Sequence, residues 1–369
     1  MKLAFVLFKY FPYGGLQRDM VRIASLCRDR GHEVHVFTLS WEGERPPGFR
    51  VHVLPVKRLT NHARYRAFHA LLQHQYRRYG IDRVVGFNKM PGLDIYYAAD
   101  PCLKDKLYRE RGALVRLLPR YRHFLAWEEA VFGPRSQARI LLISPRQESI
   151  YRHCYGTPAQ RRYLLPPGIQ PDRKAGEDAQ ELRQGLRREF GISDDERLIL
   201  CIGSGFRTKG LDRSLRALAA LPESLRSRTR LIAIGSDHAA PFRRLARRLG
   251  IMDRFSILKG RDDIPRFLQG GDLLLHPAYN ENSGLVILEA IVAGLPALVT
   301  QVCGYAFYVE RAEAGKVIPE PFEQSLLDAS LAEMLESPQR RKWRENGIRF
   351  GQQEDLYGMV EQAAEIILE

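Results

Sequence analysis

Two glutamates at the start of an apolar segment, Glu281 and Glu289, are the residues whose types and spacing could do chemistry. Glu281 lies in a polar loop after the apolar run at residues 273–275, and Glu289 falls two turns into a predicted helix. Both carboxylates can therefore face the space above a sheet. The free N–H groups of the turn that starts at Ser283 and Gly284 point into the same space and favour an anion. This layout suits a ligand whose diphosphate binds the amides and whose sugar hydroxyls bind the carboxylates.

A purely structural interpretation of the same stretch stays open. Ser283 is a common type of helix N-cap, and Glu289 can be a solvated helix residue. Gly294 followed by Pro296 is an ordinary way to end a helix. Each feature alone is more often structural than functional, so the interpretation as a site depends on their occurring together.

A second stretch, residues 202–210, has the composition of a phosphate-binding loop. It follows a predicted strand and opens a helix, so that Gly203, its neighbouring amides and Lys209 can hold phosphate. Arg173 and Arg207 are the further cations available to a diphosphate. The Gly-Lys-Ser/Thr of a Walker-type loop does not occur, which excludes that mode of phosphate binding.

The elements that must position these residues alternate between strand and helix along the chain. Predicted strands occupy residues 2–8, 33–39, 51–56, 83–87, 95–98 and 140–143, and then 198–203, 230–235, 255–259, 272–276, 297–300 and 316–318. This alternation predicts α/β domains with parallel sheets covered on both faces. A length of 369 residues suits two such domains. The proline-rich segment 164–171 breaks the pattern, so we expect domains at 1–168 and 169–351.

The first predicted domain has weaker candidates at its strand ends. Gly14 and Gly15 follow the first strand and form either a plain turn or a place where bare backbone approaches a substrate. No Gly-x-Gly-x-x-Gly occurs, so this is not the dinucleotide-binding loop. Asp19 lies one turn into the next helix. Asp100 precedes Pro101 after a later strand, where a substrate contact and a turn-forming role are equal alternatives.

The positive charge of the chain is concentrated in its first half. The formal net charge is +14, and residues 1–170 carry 29 Lys and Arg against 13 Asp and Glu, a balance of +16. Residues 171–369 carry a balance of −2. An excess of this kind predicts a polyanionic partner, and nucleic acid, anionic lipid and a phosphorylated saccharide all qualify.

Residues 103–132 combine basic and apolar residues in an amphipathic arrangement that suits a helix lying on an anionic bilayer surface. Pro119 limits any single continuous helix there. The alternative is that the apolar stripe packs on the sheet while the charges are solvated. The membrane-surface candidates are Lys104, Lys106, Arg109, Arg116, Arg120, Arg122 and Trp127, interleaved with leucines such as Leu114, Leu117 and Leu118.

Composition also argues against several other classes. No apolar run approaches the ~20 residues that a membrane-spanning helix needs. The N-terminal apolar stretch is very short and predicts a first strand rather than a signal peptide. The five cysteines are odd in number and widely spaced, so neither a disulfide framework nor a metal site is expected and a reducing cytoplasm fits best.

The stretch around the two glutamates resembles the donor-binding signature of retaining glycosyltransferases of family 4. In that signature a loop Glu, seven intervening residues and a second Glu are followed by Ala-x-x-x-Gly-x-Pro, and Glu281, Glu289, Ala290, Gly294 and Pro296 fall in register. The loop at 202–210 also resembles the family's Gly-Arg-x-x-x-x-Lys-Gly, with Lys209 and Gly210 in place but Ser204 at the arginine position. Residues 11–19, 40–43, 85–94 and 166–169 are similar to the heptose-directed hexosyltransferases of the lipopolysaccharide core.

The resemblance implies a glycosyltransferase-B fold, with two Rossmann-like domains facing a cleft and a C-terminal helix at 352–369 completing the first. It implies retaining, metal-independent transfer of a hexose from a UDP-sugar, UDP-glucose or a UDP-hexosamine, to an inner-core heptose. No cofactor is expected, because the UDP-sugar is a substrate. The catalytic candidates are Glu281, Lys209, Arg173, Asp19 and Asp100. The donor-binding candidates are Gly15, Gly203, Arg207, Lys209, Arg261, Asn282, Ser283, Gly284, Leu285 and Glu289.

Within that set the resemblance assigns particular roles. Glu289 is expected to accept the ribose hydroxyls, Glu281 the hydroxyls of the donor sugar, and the backbone at Gly260 and Arg261 to contact uracil. The expected partners are the UDP-hexose, phosphorylated inner-core lipopolysaccharide and the anionic inner membrane, with the protein a monomer on the cytoplasmic face of that membrane. A UDP-sugar epimerase of similar architecture is the alternative enzyme. Nucleic-acid binding is the alternative class, but no recognised nucleic-acid module occurs.

Overall fold

A computed structural model describes residues 1–12, 14–110 and 113–369, and these divide into two compact units. Unit 1 comprises residues 1–167 and 358–369, and unit 2 comprises residues 168–357. The chain thus leaves the first unit after Pro167 and returns to it at Gly358. The return point lies six residues after the start of the helix predicted at 352–369, because the preceding helix extends to Gln353.

The elements of the described residues follow one another in this order. The part before the crossing to unit 2 contains β1 (Lys2–Val6), β2 (Lys9–Tyr10), α1 (Gly15–Asp29), β3 (Glu33–Thr38), β4 (Ser40–Trp41), β5 (Phe49–Val53), α2 (Asn61–Tyr79), β6 (Arg83–Gly86), β7 (Ile95–Ala98), α3 (Leu103–Glu110), α4 (Ala113–Arg116), α5 (Pro119–Phe132), β8 (Arg139–Leu142), α6 (Pro145–Tyr155) and β9 (Arg162–Leu164).

The remainder contains α7 (Ala179–Glu189), β10 (Arg197–Ile202), α8 (Leu211–Ala220), α9 (Glu223–Arg226), β11 (Thr229–Ile234), α10 (Ala240–Arg248), β12 (Phe255–Leu258), α11 (Ile264–Gly270), β13 (Leu273–His276), α12 (Leu285–Val292), β14 (Ala297–Thr300), α13 (Ala306–Arg311), β15 (Gly315–Ile318), α14 (Gln324–Glu336), α15 (Arg340–Gln353) and α16 (Met359–Leu368).

Local sequence accounts for where several helices start and stop. The hydroxyl of Thr60 accepts a hydrogen bond from the Ala63 amide (3.4 Å) and caps the start of α2, and Gly80 ends that helix in the left-handed conformation. Ser144 and Gly156 do the same for α6. Helices α2 and α6 therefore each begin after a capping side chain and end at a glycine.

Seven of the nine described strands of unit 1 form a parallel sheet in the order β5-β3-β1-β6-β7-β8-β9, while β2 and β4 pair with each other in a separate two-stranded sheet. Along β1, Leu3 and Phe5 pack into one apolar cluster while Ala4 and Val6 pack into another, so the strand is buried on both faces. Helix α16 packs against α1 with Val360, Ala363 and Ile367 buried, and so contributes to the core of this unit.

The described strands of unit 2 form a second parallel sheet, in the order β12-β11-β10-β13-β14-β15. Numbered within the unit this is 3-2-1-4-5-6, the Rossmann order. The first six positions of the seven-stranded sheet in unit 1 have the same order when only the strands of that sheet are counted. The sheet is again buried on both faces, with Leu198 and Leu200 in one cluster and Ile199 and Cys201 in the other. The prediction of two Rossmann-like α/β domains is confirmed.

Candidate active site

The candidate site of unit 2 lies where the order of its sheet reverses. Strands β10 and β13 are adjacent, with Ile199 opposite Leu273, although the chain visits two other strands between them. The helices that follow them, α8 and α12, pack into the apolar clusters on opposite faces of the sheet, so the loops at residues 203–210 and 277–284 border the position where open α/β sheets have a crevice. Ligands of open α/β sheets bind in this position, and both predicted phosphate and sugar elements lie there.

A direct ion pair joins the two loops. Lys209 Nζ donates to Glu281 Oε2 at 2.5 Å, and the two side chains are 23% and 17% exposed. Gly203 makes room for this lysine, because a Cβ at that position would lie 2.8 Å from Lys209 Cε. The structure thus brings together Lys209 and Glu281, which are 72 residues apart in the chain.

The backbones of the two loops are also in close contact. Gly210 has a positive φ of +75°, and a Cβ there would lie 2.0 Å from the carbonyl oxygen of Pro277. The amide of Tyr279 donates to the carbonyl of Thr208 at 2.8 Å. Only glycine fits at position 210, so the loops approach each other more closely than side chains would allow.

His276, the last residue of β13, is a neighbour of Glu281 that sequence reasoning missed. It is 1% exposed, and its Nε2 lies 3.4 Å from Glu281 Oε2. Among the described residues the Glu281 carboxylate is the polar group that this nitrogen faces, at the long end of hydrogen-bond distance. Its place at the carboxyl end of a central strand was the available signal, but a single buried histidine is usually structural.

The electrostatics of the three groups keep Glu281 charged. Burial tends to raise the pKa of Glu281, but the Lys209 ammonium and the His276 ring outweigh it and lower that pKa to about 2. Burial lowers the pKa of His276, and Lys209 acts in the same direction. Near neutral pH the cluster therefore consists of a lysine cation, a glutamate anion and a neutral histidine.

The buried histidine predicts how stability depends on pH. His276→Gln is expected to make the melting temperature less sensitive to acid than it is in the wild type. An unfolded histidine takes up a proton near its ordinary pKa of 6.5, whereas burial lowers the pKa of the folded His276. Between those two pKa values the unfolded state binds more protons, so stability falls as the pH falls.

Thermal unfolding at about pH 7.5 and at about pH 5 measures this effect. His52 and His123, whose pKa burial lowers to about 4, keep part of the acid sensitivity in the variant. The exposed His238 supplies a control, since His238→Gln should leave the wild-type slope unchanged. An equal fall of melting temperature in His276→Gln and wild type would contradict the prediction.

The start of α12 presents backbone N–H groups beside Glu281. Gly284 is the N-cap, in the left-handed conformation at φ +81°, and within the described residues no N-cap side-chain hydrogen bond closes the first turn, which begins at Leu285. The interpretation of Ser283 as the N-cap is therefore wrong, because the helix starts one residue later. Ser283 instead accepts a hydrogen bond from the Tyr305 amide through its carbonyl (2.7 Å). Asn282 is buried in the same loop.

Glu289 and Arg173 form a second, more deeply buried pair in unit 2. Arg173 Nε donates to Glu289 Oε1 at 3.3 Å, and the two residues are 4% and 6% exposed. Arg173 Nη1 lies 3.7 Å from Asp172 and makes no hydrogen bond within the described part of the chain. Arg173 Nη1 is therefore a buried donor whose hydrogen bond a ligand oxygen can accept.

The amides at the tip of the loop after β10 have a carboxylate partner. Asp237, from the loop after β11, accepts hydrogen bonds from the amides of Gly205 and Phe206, the latter at 2.6 Å. These N–H groups were expected to be available to phosphate, and the carboxylate satisfies them instead. Arg207 lies on the exposed side of this loop. Lys209 is the cation of the loop that the structure brings to Glu281.

Arg261 makes a two-point ion pair with its neighbour Asp263. Its Nε and Nη2 donate to the two carboxylate oxygens at 2.6 and 2.8 Å, which raises the pKa of Arg261 and lowers that of Asp263. The side chain is thereby fixed just before α11. The predicted uracil contact concerns the backbone at Gly260 and Arg261, and it stays a prediction.

The candidates in unit 1 lie at the carboxyl edge of its sheet. Asp19 accepts a hydrogen bond from the Tyr97 hydroxyl at 2.8 Å. Gly15 is the first residue of α1, and a Cβ there would meet no described atom within 4 Å. Asp100 is exposed, and its carbonyl accepts from Tyr151 at 2.8 Å. Their contacts to a substrate stay predictions.

The predicted membrane-surface segment divides into α3, α4 and α5, with Pro119 as the first residue of α5. Its exposed apolar side chains include Leu114, Leu117 and Leu118, at 81%, 68% and 51% exposure. Lys106, Arg120 and Arg122 are exposed as well. The side chains of Arg109 and Arg116 lie outside the described part of the structure.

Two residues predicted for this surface have internal roles instead. Trp127 is 7% exposed and packs on His123, with ring centroids 4.4 Å apart, so its assignment to the membrane surface is wrong. Lys104 donates to the carbonyl of Cys154 at 2.7 Å and lies over the Tyr155 ring. Trp127 also contacts His69 of α2, and the partners of Lys104 belong to α6, so the segment packs inward at both positions.

Two general features of the described residues bear on cofactors and membranes. No group of three or more His, Cys, Asp or Glu side chains among them is arranged to hold a metal ion. None of the helices in the described ranges combines the length and apolarity that crossing a bilayer demands.

Two Rossmann-like domains, with a lysine–glutamate pair at the switch point of the second, define the class of glycosyltransferases with the B fold. The model of Glycosyltransferase Family 4 matches residues 13–173, and that of Glycosyl transferases group 1 matches residues 183–350. The chain is 47% identical over 368 residues to the lipopolysaccharide glucosyltransferase WaaG of Escherichia coli (strain K12), covering 100% of this chain and 98% of that one.

Solved structures agree with the sequence relatives. The crystal structure of WaaG, a glycosyltransferase involved in lipopolysaccharide biosynthesis, superposes with a TM-score of 0.96 at 47% identity over 99% of both chains. Sucrose-phosphate synthase from Thermosynechococcus elongatus, at 18% identity and a TM-score of 0.78 over 99% of this chain and 98% of that one, shares the fold. The chain belongs to glycosyltransferase family 4, and it is a glycosyltransferase of lipopolysaccharide biosynthesis.

Proposed function

We propose that the protein transfers a hexose, with retention of anomeric configuration, from a UDP-sugar to an inner-core heptose of lipopolysaccharide. The observation that carries this proposal is the Lys209–Glu281 pair at the switch point of unit 2. UDP-glucose is the first donor to consider, because the chain is similar over its whole length to a lipopolysaccharide glucosyltransferase. A UDP-hexosamine is the second, because Asn282 and Ser283 beside Glu281 offer polar groups to an acetamido sugar.

Charge stabilisation at the departing diphosphate is the central chemical task. Lys209, Arg173 Nη1 and the uncapped amides at the start of α12 are donors in unit 2 that can meet phosphate oxygens. Fixed donors of this kind lower the barrier because they are already oriented when negative charge develops on the leaving group. They supply the positive charge that a metal ion provides in other sugar transferases, so we propose a metal-independent reaction.

The ion pair implies an exchange of partners when the donor binds. Lys209 is paired with Glu281, and a diphosphate carries more negative charge than one carboxylate. As the lysine turns to the phosphate, Glu281 becomes free to accept hydroxyls of the donor sugar. Glu289 has the corresponding role toward the ribose hydroxyls.

Retention is explained best by attack from the face of the leaving group. While Glu281 is paired with Lys209 its pKa is about 2, so the donor sugar meets it as a carboxylate that can accept hydroxyls. In this proposal the acceptor oxygen approaches beside the diphosphate, which takes the acceptor's proton, and no covalent glycosyl-enzyme forms. Asp19 and Asp100 of unit 1 are the candidate contacts to the acceptor.

Donor turnover tests the proposed function directly. Purified protein is incubated with UDP-glucose, UDP-galactose and their N-acetylated forms, each with and without a heptose-containing acceptor, and the products are analysed. We expect UDP release and a hexosylated acceptor with one donor preferred. Interconversion of the UDP-sugars without an acceptor would indicate an epimerase instead. Protection against thermal unfolding by RNA but not by UDP would indicate nucleic-acid binding.

Unit 1 is proposed to bind the anionic cytoplasmic surface of the inner membrane. Residues 1–170 carry a balance of +16, and the leucines of α4 and the turn before α5 are exposed beside Arg120 and Arg122. Each basic side chain near an anionic leaflet contributes about 1 kcal/mol, and each inserted leucine about 1.5–3 kcal/mol. The acceptor is itself membrane-borne and phosphorylated, so the same basic surface suits both.

Replacing Leu114, Leu117 and Leu118 together by serine is expected to abolish flotation with anionic liposomes, because the apolar part of the contact is lost. Flotation in a density gradient measures it, and zwitterionic liposomes separate the charge contribution. A matched control replaces Leu59 and Leu71, which are exposed elsewhere in unit 1, and should still float. Failure of the wild type to bind anionic liposomes would contradict the membrane proposal and leave the enzymatic one intact.

A further inference from the structure

The guanidinium of Arg213, in the first turn of α8, lies between two aromatic rings. Its Cζ is 3.6 Å from the ring centroid of Tyr279 on one side and 3.6 Å from that of Phe322 on the other. The Tyr279 hydroxyl donates to Asp212 at 2.9 Å, which fixes the first ring. A planar cation between two π faces is held in one orientation.

The edge of the same guanidinium binds the loop that carries Glu281. Arg213 Nη1 donates to the carbonyls of Pro277 at 3.1 Å and Ala278 at 3.0 Å, the first two residues after β13. Thr300 reaches the Ala278 carbonyl from the next strand at 2.9 Å. We call the group formed by Arg213, the rings of Tyr279 and Phe322, and these two carbonyls the Arg213 clamp.

The clamp connects the two loops that meet in the active site. Helix α8 starts directly after Gly210, so its first turn is attached to the backbone of Lys209. The clamp attaches the same turn to the backbone three and four residues before Glu281. The Tyr279 amide, bonded to the Thr208 carbonyl at 2.8 Å, closes the connection on the lysine side. Arg213 therefore links the helix turn next to Lys209 to the backbone of the loop that carries Glu281.

We propose that Arg213 is a positioning residue for the transfer reaction, which holds Glu281 at the correct distance from Lys209 and hence from the donor sugar. The inference rests on the proposed function of that pair. When the donor binds and Lys209 turns to the diphosphate, the ion pair no longer fixes Glu281. The clamp then holds the backbone of the glutamate's loop while its carboxylate accepts sugar hydroxyls.

The chemistry of the clamp requires arginine. A lysine can donate to the carbonyls but lacks the planar group that fills the space between two rings, and methionine fills part of the space without donating. Displacing a catalytic group by about 1 Å can cost about 100-fold in rate. UDP lacks the sugar that Glu281 contacts, so its affinity reports on the nucleotide part of the site alone.

The experiment compares Arg213→Met, Arg213→Lys and Tyr279→Ala with wild type in three measurements: kcat for transfer, Kd for UDP, and hydrogen exchange of the Tyr279 amide. We expect Arg213→Met and Tyr279→Ala to lower kcat by about 10- to 100-fold, to change Kd for UDP much less, and to speed exchange of the amide at position 279. Arg213→Lys should recover part of kcat. If Arg213→Met does not fold, the other two variants carry the test.

Arg226→Met is the matched control, because Arg226 also donates to a backbone carbonyl, that of Ala219 at 2.9 Å, away from the site. It should leave kcat and the exchange at Tyr279 unchanged. Wild-type kcat in folded Arg213→Met and Tyr279→Ala, or parallel losses of kcat and UDP affinity, would overturn the positioning role. Absence of transfer by the wild type would refute the proposed function, whereas the exchange measurement would still show whether Arg213 fixes the loop.

Discussion

Lys209→Ala is expected to lower kcat for hexose transfer by about 10²–10³-fold, the usual effect of removing one donor from a charge-stabilising site. The lysine is the cation of the loop after β10 that is paired with Glu281 at 2.5 Å. Affinity for UDP should fall too, since a charged hydrogen bond contributes about 1.5–3 kcal/mol. Steady-state kinetics and calorimetric titration with UDP measure the two effects.

A solvent-exposed lysine serves as the control for this variant. Lys342 is exposed on α15, so Lys342→Ala removes the same charge and should leave both quantities unchanged. The melting temperature of Lys209→Ala must be measured as well, because the partly buried Glu281 loses its partner. A folded Lys209→Ala protein with near wild-type transfer would contradict the assignment of the diphosphate site.

The fold could be predicted from the sequence because its signals are local and repeated. Short apolar runs alternate with helical patterns, and parallel strands buried on both faces need no contact information to be recognised. The resemblance of the Glu281 and Glu289 stretch to a family signature then placed the donor site in the second half. The switch-point rule explains why Lys209 and Glu281, far apart in sequence, share one crevice.

The membrane-surface segment shows where sequence reasoning fails. Leu117 and Trp127 both belong to its apolar stripe, yet Leu117 is 68% exposed and Trp127 is 7% exposed. Helical periodicity shows that a stripe exists but not what covers each part of it. Trp127 is covered by aromatic rings from distant parts of unit 1, such as His69, and that contact depends on the tertiary fold.

The contacts of individual charged and polar groups also could not be predicted from the sequence. Asp237 meets the Gly205 and Phe206 amides from the end of a neighbouring strand, and His276 meets Glu281 only because the loop between them turns back. Single Asp and His residues of this kind have no pattern that separates them from solvated or structural ones. Among the predicted cations, only the structure distinguishes the buried Arg173 from the exposed Arg207.

Glu281→Gln is expected to lower kcat by about 10²-fold or more while leaving UDP affinity equal to or stronger than that of wild type. The two effects have opposite directions because the carboxylate has two roles in the proposed mechanism. It pairs with Lys209 at 2.5 Å and so competes with the diphosphate for that cation. In the reaction it accepts hydroxyls of the donor sugar, which a neutral amide does less well.

The same two measurements that test Lys209→Ala therefore separate the roles of the pair. Lys209→Ala should weaken UDP binding and transfer together, whereas Glu281→Gln should lower transfer without weakening UDP binding. Glu333→Gln, at an exposed ion pair with Lys316, is the matched control and should change neither. If Glu281→Gln weakened UDP binding as much as Lys209→Ala does, the ion pair would be a structural unit that must stay intact. The exchange of partners would then be wrong, because Lys209 could not leave Glu281 for the diphosphate.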